Sequence, residues 1–228
     1  MRPSSIPSAT TSSPRRWPAA TRRSERPSTS EDGPVPSSFP PALPAGSFST
    51  SDHPRIALGG DAVLRPWVLD DAAALVEAFD DPAIRQWHVS RADTDDEARE
   101  LITRWQRGWA AESEFNWAIV GTDDILLGRI ALKGVDLFDA TAEVAYWMCP
   151  ASRGHGLCPR AVVTLSEWAF AAGFHRLQLQ HSTRNIASCR VATKAGFGEE
   201  GTRRGAALHA DGWHDMHAHA RLSGDADR

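Results

Sequence analysis

The segment Tyr146-Trp-Met-Cys-Pro-Ala-Ser-Arg-Gly-His-Gly-Leu-Cys-Pro159 decides the fold. An aromatic and aliphatic strand, Ala142–Cys149, runs into a turn at Arg153-Gly154-His155-Gly156, and a helix is expected over residues 159–172. Val162, Val163, Leu165, Trp168 and Ala169 form its apolar stripe, and Gly173 is a C-cap. Gly154 and Gly156 permit positive φ and a close approach by a ligand. Amides at a helix N-terminus point outward, where the dipole favours an anion, and Arg153 adds a fixed positive charge. A pyrophosphate suits such a turn, although a tight β-α connection alone also explains the glycines. There is no G-x-x-x-x-G-K-[ST] run, no third glycine and no early βαβ unit. A P-loop nucleotidase is therefore excluded, and a Rossmann domain is disfavoured.

Working outward, residues 62–68 read as a first strand, with Pro66 placing it at an edge or ending its pairing. Asp70 caps a helix through Phe79, and Pro82 marks a stop or restart. Thr94 and Glu97 form a capping box for a helix through Ala110. The hydrophobic period then shortens. Phe115–Gly121 and Ile125–Val135 are strands joined at residues 122–124. Beyond the central segment, Arg176–His181 is a half-buried strand, Ile186–Ala195 a short helix, and Phe197–Thr202 and Trp213–Leu222 closing strands. The order β-α-α-β-β-β-α-β-α-β-β defines an α+β, or mixed α/β, domain with a largely antiparallel sheet.

The chain has 228 residues and a net charge of −4, but this average joins two unlike parts. In residues 1–50, 27 positions are Ser, Thr or Pro, and six Arg face Glu25, Glu31 and Asp32 for a net of +3. The other 178 residues carry −7. Residues 1–52 are expected to be a disordered extension or a misplaced start, and residues 53–228 one folded domain. An acidic domain argues against sequence-independent DNA binding. No apolar run is long enough for a membrane span, and the arginines of the head lead into no apolar block as a secretory signal would require. Cys149, Cys158 and Cys189 form no CxxC pair, which suits reduced thiols in a cytoplasmic protein.

About thirty residues after the glycine turn comes Asn185-Ile-Ala-Ser-Cys-Arg-Val-Ala-Thr-Lys-Ala-Gly-Phe197. From Leu64 to Leu222 the chain resembles the GNAT acetyltransferase family, most of all the branch of ribosomal-protein N-terminal acetyltransferases. The resemblance rests on LRPW at Leu64–Trp67, AEVAYWMCP at Ala142–Pro150, RGHG at Arg153–Gly156, the Asn185–Phe197 run, and EGTRR at Glu200–Arg204 with DGWHDM at Asp211–Met216. It implies a twisted, largely antiparallel sheet with splayed central strands and flanking helices. It also implies acetyl-CoA as co-substrate, an amine acceptor, and direct attack in a ternary complex without an acyl-enzyme.

Residue by residue, the resemblance implies that Trp147, Met148 and Cys149 offer backbone groups to pantetheine. The amides of Arg153, Gly154, His155, Gly156, Leu157 and Cys158 would hold the pyrophosphate. Pro159 departs from the family by lacking an amide hydrogen in the first turn. Asn185 would bond the pantetheine or cap its helix, and Arg190 and Lys194 could reach nucleotide phosphates. Many relatives place a tyrosine seven residues after the asparagine, where this chain has Ala192. The N-terminal acetyltransferase branch has a serine three residues after it, matched by Ser188, the expected proton donor to the thiolate. Glu143 matches a general base, and burial among apolar groups would raise its pKa. The branch's carboxylate in the segment Arg203–His209 is missing, which leaves His209 as an alternative base. Trp87 and His88 are the expected acceptor contacts.

His214, His217 and His219 are taken as a solvated strand and not a metal site, since no cysteine joins them and His214 points the other way. Cys149 and Cys158 have no local base to make either an acyl nucleophile. A non-catalytic acyl-CoA-binding domain is the competing functional class, favoured by the absent tyrosine and carboxylate. The oligomeric state is left open, a homodimer included.

Overall fold

The computed structural model describes residues 39–225. Its elements run β1 (Ile56–Ala57), β2 (Ala62–Pro66), α1 (Ala72–Phe79), α2 (Pro82–Trp87), α3 (Asp95–Ala110), β3 (Phe115–Gly121), β4 (Leu126–Asp136) and β5 (Thr141–Met148). After these come α4 (Leu157–Ala171), β6 (Arg176–Ser182), α5 (Ile186–Lys194), β7 (Gly198–His209) and β8 (Gly212–Leu222). The strands form one sheet in the order β1-β2-β3-β4-β5-β6-β8-β7. Every neighbouring pair is antiparallel except β5 with β6.

That parallel pair makes the site. β5 and β6 are in register only at Thr141↔Arg176, Ala142↔Leu177 and Glu143↔Gln178, and then they part. β4 stays paired with β5 as far as Met148, so only the β6 flank opens. Gly128 allows this close β4–β5 contact, because a Cβ there would lie 2.5 Å from the Trp147 carbonyl oxygen. Two cores cover the sheet. Leu75, Phe79, Leu101, Ile102 and Trp105 of α1 and α3 pack on one face with Trp147. Ala161, Val162 and Leu165 of α4 and Ala192 of α5 pack on the other with Val144, Leu177 and Leu179. The expected alternation along β5 accounts for both.

Several boundaries differ from expectation for physical reasons. Asp70 is not the cap of α1. A short 3-10 turn over Leu69–Asp71 intervenes, and Asp71 accepts the Val68 amide at 2.9 Å while gripping Arg65 through both oxygens at 2.8 Å. Pro82 does restart a helix: Asp81 caps α2 by accepting from the Ile84 amide at 2.9 Å. Thr94 caps α3 as expected, accepting from Glu97, but the Glu97 carboxylate turns to the Asp93 amide. α4 begins two residues early at Leu157, so Pro159 sits third in the helix, where its missing hydrogen breaks no intrahelical bond. β7 runs on to His209 through two register shifts.

The expected boundary at residue 52 is corrected. From Phe39 onward the chain belongs to one compact unit, while the part of the expected extension in residues 1–38 lies outside the described residues. Leu43 and Phe48 are buried. The Phe48 ring lies 4.9 Å from Phe115 and 5.6 Å from Phe174. The Glu112 carboxylate accepts from the amides of Gly46, Phe48 and Ser49 at 2.7, 2.6 and 3.0 Å. Desolvation alone would raise the Glu112 pKa, but these amides together hold it below the usual carboxylate range. A Ser- and Pro-rich window thus concealed two anchoring apolar side chains and a carboxylate sixty residues away.

Candidate active site

Two clefts meet at the parting of β5 and β6. The larger, about 590 Å3, is bordered by Glu143 and Lys133 on the sheet, Glu114 and Arg129 beside them, and His209 on β7. The smaller, about 500 Å3, lies between α2, the end of β5, the glycine turn and α5. Trp87, His88, Tyr146, Asn185 and Ser188 border both.

The smaller cleft gathers most of the expected cofactor residues: Trp147, Met148, Arg153, Gly154, Gly156, Leu157, Cys158, Asn185 and Ser188. Arg190 and Lys194 stand along it on α5. Gly154 and Gly156 adopt φ +84° and +74°, so the turn needs glycine for conformation and not for room. Gly156 is the N-cap of α4, and the Leu157 and Cys158 amides begin the helix with no turn before them.

Three expected contacts do not stand as anticipated. Cys149 and His155 lie outside the residues bordering the cleft, and the Cys149 amide is already donated to the Leu127 carbonyl at 2.9 Å. The Arg153 amide is donated to Pro150 at 3.2 Å. The Arg153 side chain is not a free charge either. Its Nε donates to the Met148 carbonyl at 3.0 Å, and its Nη2 meets Asp81 at 2.6 Å. The hydrogen bond from Arg153 holds Asp81 below the usual carboxylate range against desolvation.

Asn185 caps α5, accepting from the Ser188 amide at 3.1 Å. Ser188 is half-buried at the junction of the clefts. Tyr146 was seen in the sequence only as a strand residue. Its hydroxyl reaches across the parting and donates to the Ser188 carbonyl at 3.5 Å. Burial pushes the Tyr146 phenol well above its ordinary range, so it stays protonated. Ser-for-Tyr reasoning along α5 missed it because the phenol comes from the opposite wall. The available signal was its place on β5, on the same side as Ala142 and Val144.

Glu143 is the last paired residue before the parting. It is not buried among apolar groups as expected: its side chain is 31% exposed and 3.2 Å from the Lys133 ammonium. His88 is held neutral, pushed down to about 4 by burial and then by Arg129. One of its nitrogens meets the Ser90 carbonyl at 3.0 Å and the other lies 3.3 Å from Arg129. Trp87 packs edge-on to His209 and His214, and a His209 nitrogen lies 3.3 Å from the Gln86 carbonyl. The hairpin therefore closes against α2. Burial lifts the Cys149 thiol to about 11 and Cys158 to about 12, so neither supplies a ready thiolate.

The histidine expectation is corrected. His214 does point away, its Nδ1 lying 2.8 Å from Ser182 Oγ. His217 and His219 are not a solvated surface, for they are half-buried and buried respectively. A cysteine does join them in space: Cys189 of α5, together with His181 of β6.

A sheet that parts behind a glycine-punctuated helix entry, with two clefts meeting at the parting, matches what the resemblance implies of a coenzyme A-dependent acyltransferase. The chain belongs to the GNAT acetyltransferase family: the family model described as Acetyltransferase (GNAT) domain matches residues 61–198. It is similar to the probable N-acetyltransferase YjcK of Bacillus subtilis (strain 168), with 30% identity over 63% of this chain and 82% of the relative. It is also similar to the ribosomal-protein-serine acetyltransferase of Escherichia coli (strain K12), with 26% identity over 60% of this chain and 74% of the relative. Among solved structures, Mycobacterium smegmatis RimJ in complex with CoA-disulfide superposes with a TM-score of 0.70 at 19% identity, covering 77% of this chain and 88% of that one. The protein is an acetyl-CoA-dependent N-acetyltransferase. No helix among the described residues is long and apolar enough to cross a membrane.

Proposed function

We propose that this enzyme acetylates the amino terminus of a peptide or protein, with the acceptor in the larger cleft and acetyl-CoA in the smaller. The observation that carries this reading is the shared border of the clefts at Trp87, His88, Tyr146, Asn185 and Ser188, where two bound substrates would touch. The acceptor class is supported by the similarity to a ribosomal-protein-serine acetyltransferase.

The cleft suits the cofactor by its helix entry, its positive-φ glycines, and the cations Arg190 and Lys194 along its wall. Acetyl-CoA supplies the acetyl group as a reactive thioester. The protein supplies proton handling and orientation. Glu143, at the base of the parting, accepts a proton from the acceptor ammonium, directly or through water, so that a neutral amine attacks. Lys133, its ammonium 3.2 Å away, holds that carboxylate in place beside the acceptor cleft. Tyr146, the stronger acid of the two hydroxyls at the junction, returns a proton to the departing thiolate. Ser188 donates a hydrogen bond to the same sulfur, and Asn185 holds the α5 turn that presents it. Trp87 and His88 shape the passage between the clefts.

The test is thiol release from acetyl-CoA with a panel of peptides of varied first residue, set against polyamines and aminoglycosides. Turnover with peptides and none with blocked N-termini is expected. Turnover confined to small amines would overturn the acceptor assignment.

A further inference from the structure

Behind α5, on the face opposite His214, four side chains converge: His181 of β6, His217 and His219 of β8, and Cys189 of α5. One ligand atom from each lies within 4.8 Å of every other. Strand geometry explains the three imidazoles. His181 is directly opposite His217 across the β6–β8 ladder, and His219 is two residues on, so all three share a face. α5 crosses that face and lowers Cys189 onto it.

We propose that these four residues form a closed binding site for a zinc-class divalent metal ion that fastens α5 to the β6–β8 half of the sheet. Tetrahedral zinc with nitrogen ligands at about 2.0–2.1 Å and sulfur at about 2.3 Å needs ligand–ligand edges of roughly 3.3–3.6 Å. His181 Nε2 and His219 Nε2 already stand 3.2 Å apart. The remaining separations, none above 4.8 Å, close by at most about 1.5 Å to reach such edges, a movement available to side-chain rotation at half-buried Cys189 and His217. The outer contact is in place too. His181 Nδ1 lies 2.9 Å from the Ser182 carbonyl, which fixes the proton there and turns a bare Nε2 toward the cluster.

Two buried nitrogens beside the cluster, His217 Nδ1 and His219 Nδ1, have no hydrogen-bond partner among the described residues. His181 stacks on His219 at a centroid distance of 5.1 Å, His217 lies edge-on to both, and the Cys189 thiol completes a ring of four soft donors that a cation would share. A thiolate with three imidazoles favours zinc, cobalt or copper over magnesium or calcium, which prefer oxygen. On binding, the Cys189 thiol proton passes to solvent as the sulfur–metal bond forms, and the imidazoles enter neutral. All four positions are protein ligands, so the ion is structural. Its consequence for the enzyme is positional: Cys189 adjoins Ser188, and the same helix carries Asn185 into both clefts.

The experiment uses the full chain, stripped with chelator and titrated with Co(II). One equivalent should give visible ligand-field bands of tetrahedral intensity and a near-ultraviolet thiolate-to-cobalt band, with zinc displacing both. Cys189→Ser should abolish the thiolate band, and His219→Gln should weaken binding at least 100-fold. His214→Gln, on the other face, should change neither. Zinc should raise the melting temperature of the unmutated protein by several degrees through preferential binding to the folded state. Absence of the tetrahedral spectrum in the unmutated chain would overturn the proposal, whatever the fate of the variants. So would a spectrum indifferent to Cys189→Ser. Metal binding is read here without turnover, so either result leaves the acceptor assignment standing or falling on its own test.

Discussion

Arg153 and Asp81 meet at 2.6 Å, joining the glycine turn that borders the smaller cleft to the cap of α2. The Arg153 side chain is 38% exposed, so the pair contributes about 1 kcal/mol or less to stability. Its effect is geometric, since α2 carries Trp87 and His88. Asp81→Asn keeps the cap to Ile84 but loses the ion pair. We expect the KM for acetyl-CoA to rise about 3- to 10-fold with kcat changed less than twofold. An unchanged KM in steady-state assays would show that α2 needs no such fastening.

The two hydroxyls at the junction are separable. Tyr146→Phe should lower kcat by about 100-fold, the scale of a lost general acid, with acetyl-CoA affinity within a factor of three. Ser188→Ala should cost about tenfold, and Glu143→Gln about 100-fold. If Ser188→Ala proves the more damaging, as the resemblance alone implied, the proton comes from α5 and not from β5.

Gly156→Ala places a side chain at φ +74°, where nothing crowds it but the backbone conformation itself is unfavourable. A loss of about 1–2 kcal/mol in denaturant unfolding is expected. Acetyl-CoA affinity should fall as well, because the displaced amides begin α4.

Deleting residues 1–50 should not be harmless. It removes Leu43 and Phe48 from the core and leaves the Glu112 carboxylate without its amides. A loss of about 3 kcal/mol or more, and a melting temperature lower by about 10 °C, follow from vacating a Phe-sized core site. Deleting residues 1–38 should leave both values and acetyl-CoA binding unchanged. Equal melting curves for the two truncations would refute this.

Between pH 5 and 6.5 stability should rise with pH. His53 and His88 are each pushed down to about 4 by burial, so over this window the unfolded chain binds more protons than the folded one. The slope for each group is about 1.2 kcal/mol per pH unit near pH 5 and falls to about 0.7 at pH 6.5, where the unfolded imidazole is half protonated. The stability is complete above the ordinary imidazole value and is lost as pH falls toward 4. Replacing either histidine with Gln should flatten the melting-temperature profile. A profile already flat in the unmutated protein would contradict the burial of both.

Most of the sheet and the helix entry at Gly154–Leu157 were legible because local rules govern them: alternation, capping, and glycine at positive φ. The elements read less well are those decided by distant partners. Asp70 looked like a cap, but Arg65 drew Asp71 into a bidentate pair and wound a 3-10 turn in between. Phe48 looked like part of a polar head, but four aromatic rings from α3, β3, α4 and the turn before β6 receive it. Within the site, Ser188, Asn185 and the glycines could be located from motif spacing. Tyr146 could not be assigned a role, because its reach depends on how far β5 and β6 diverge. The same limit hid Cys189 from His181, His217 and His219: they converge only when a helix is laid across two strands.

Past Glu143, β5 has a partner on one side only, and its bare flank lies at the floor of a cleft walled by α2 and α5. An uncovered flank at the rim of a sheet invites another chain; this one is sunk where only a single slender guest can reach it. The pantetheine arm, with its two amides, has the right chemistry to lie there as a surrogate strand. Loading the enzyme would then mend the interruption in its own sheet. The half carrying α2 and the half carrying β6–β8 should exchange amide hydrogens as one cooperative block when charged with coenzyme, and as two when bare.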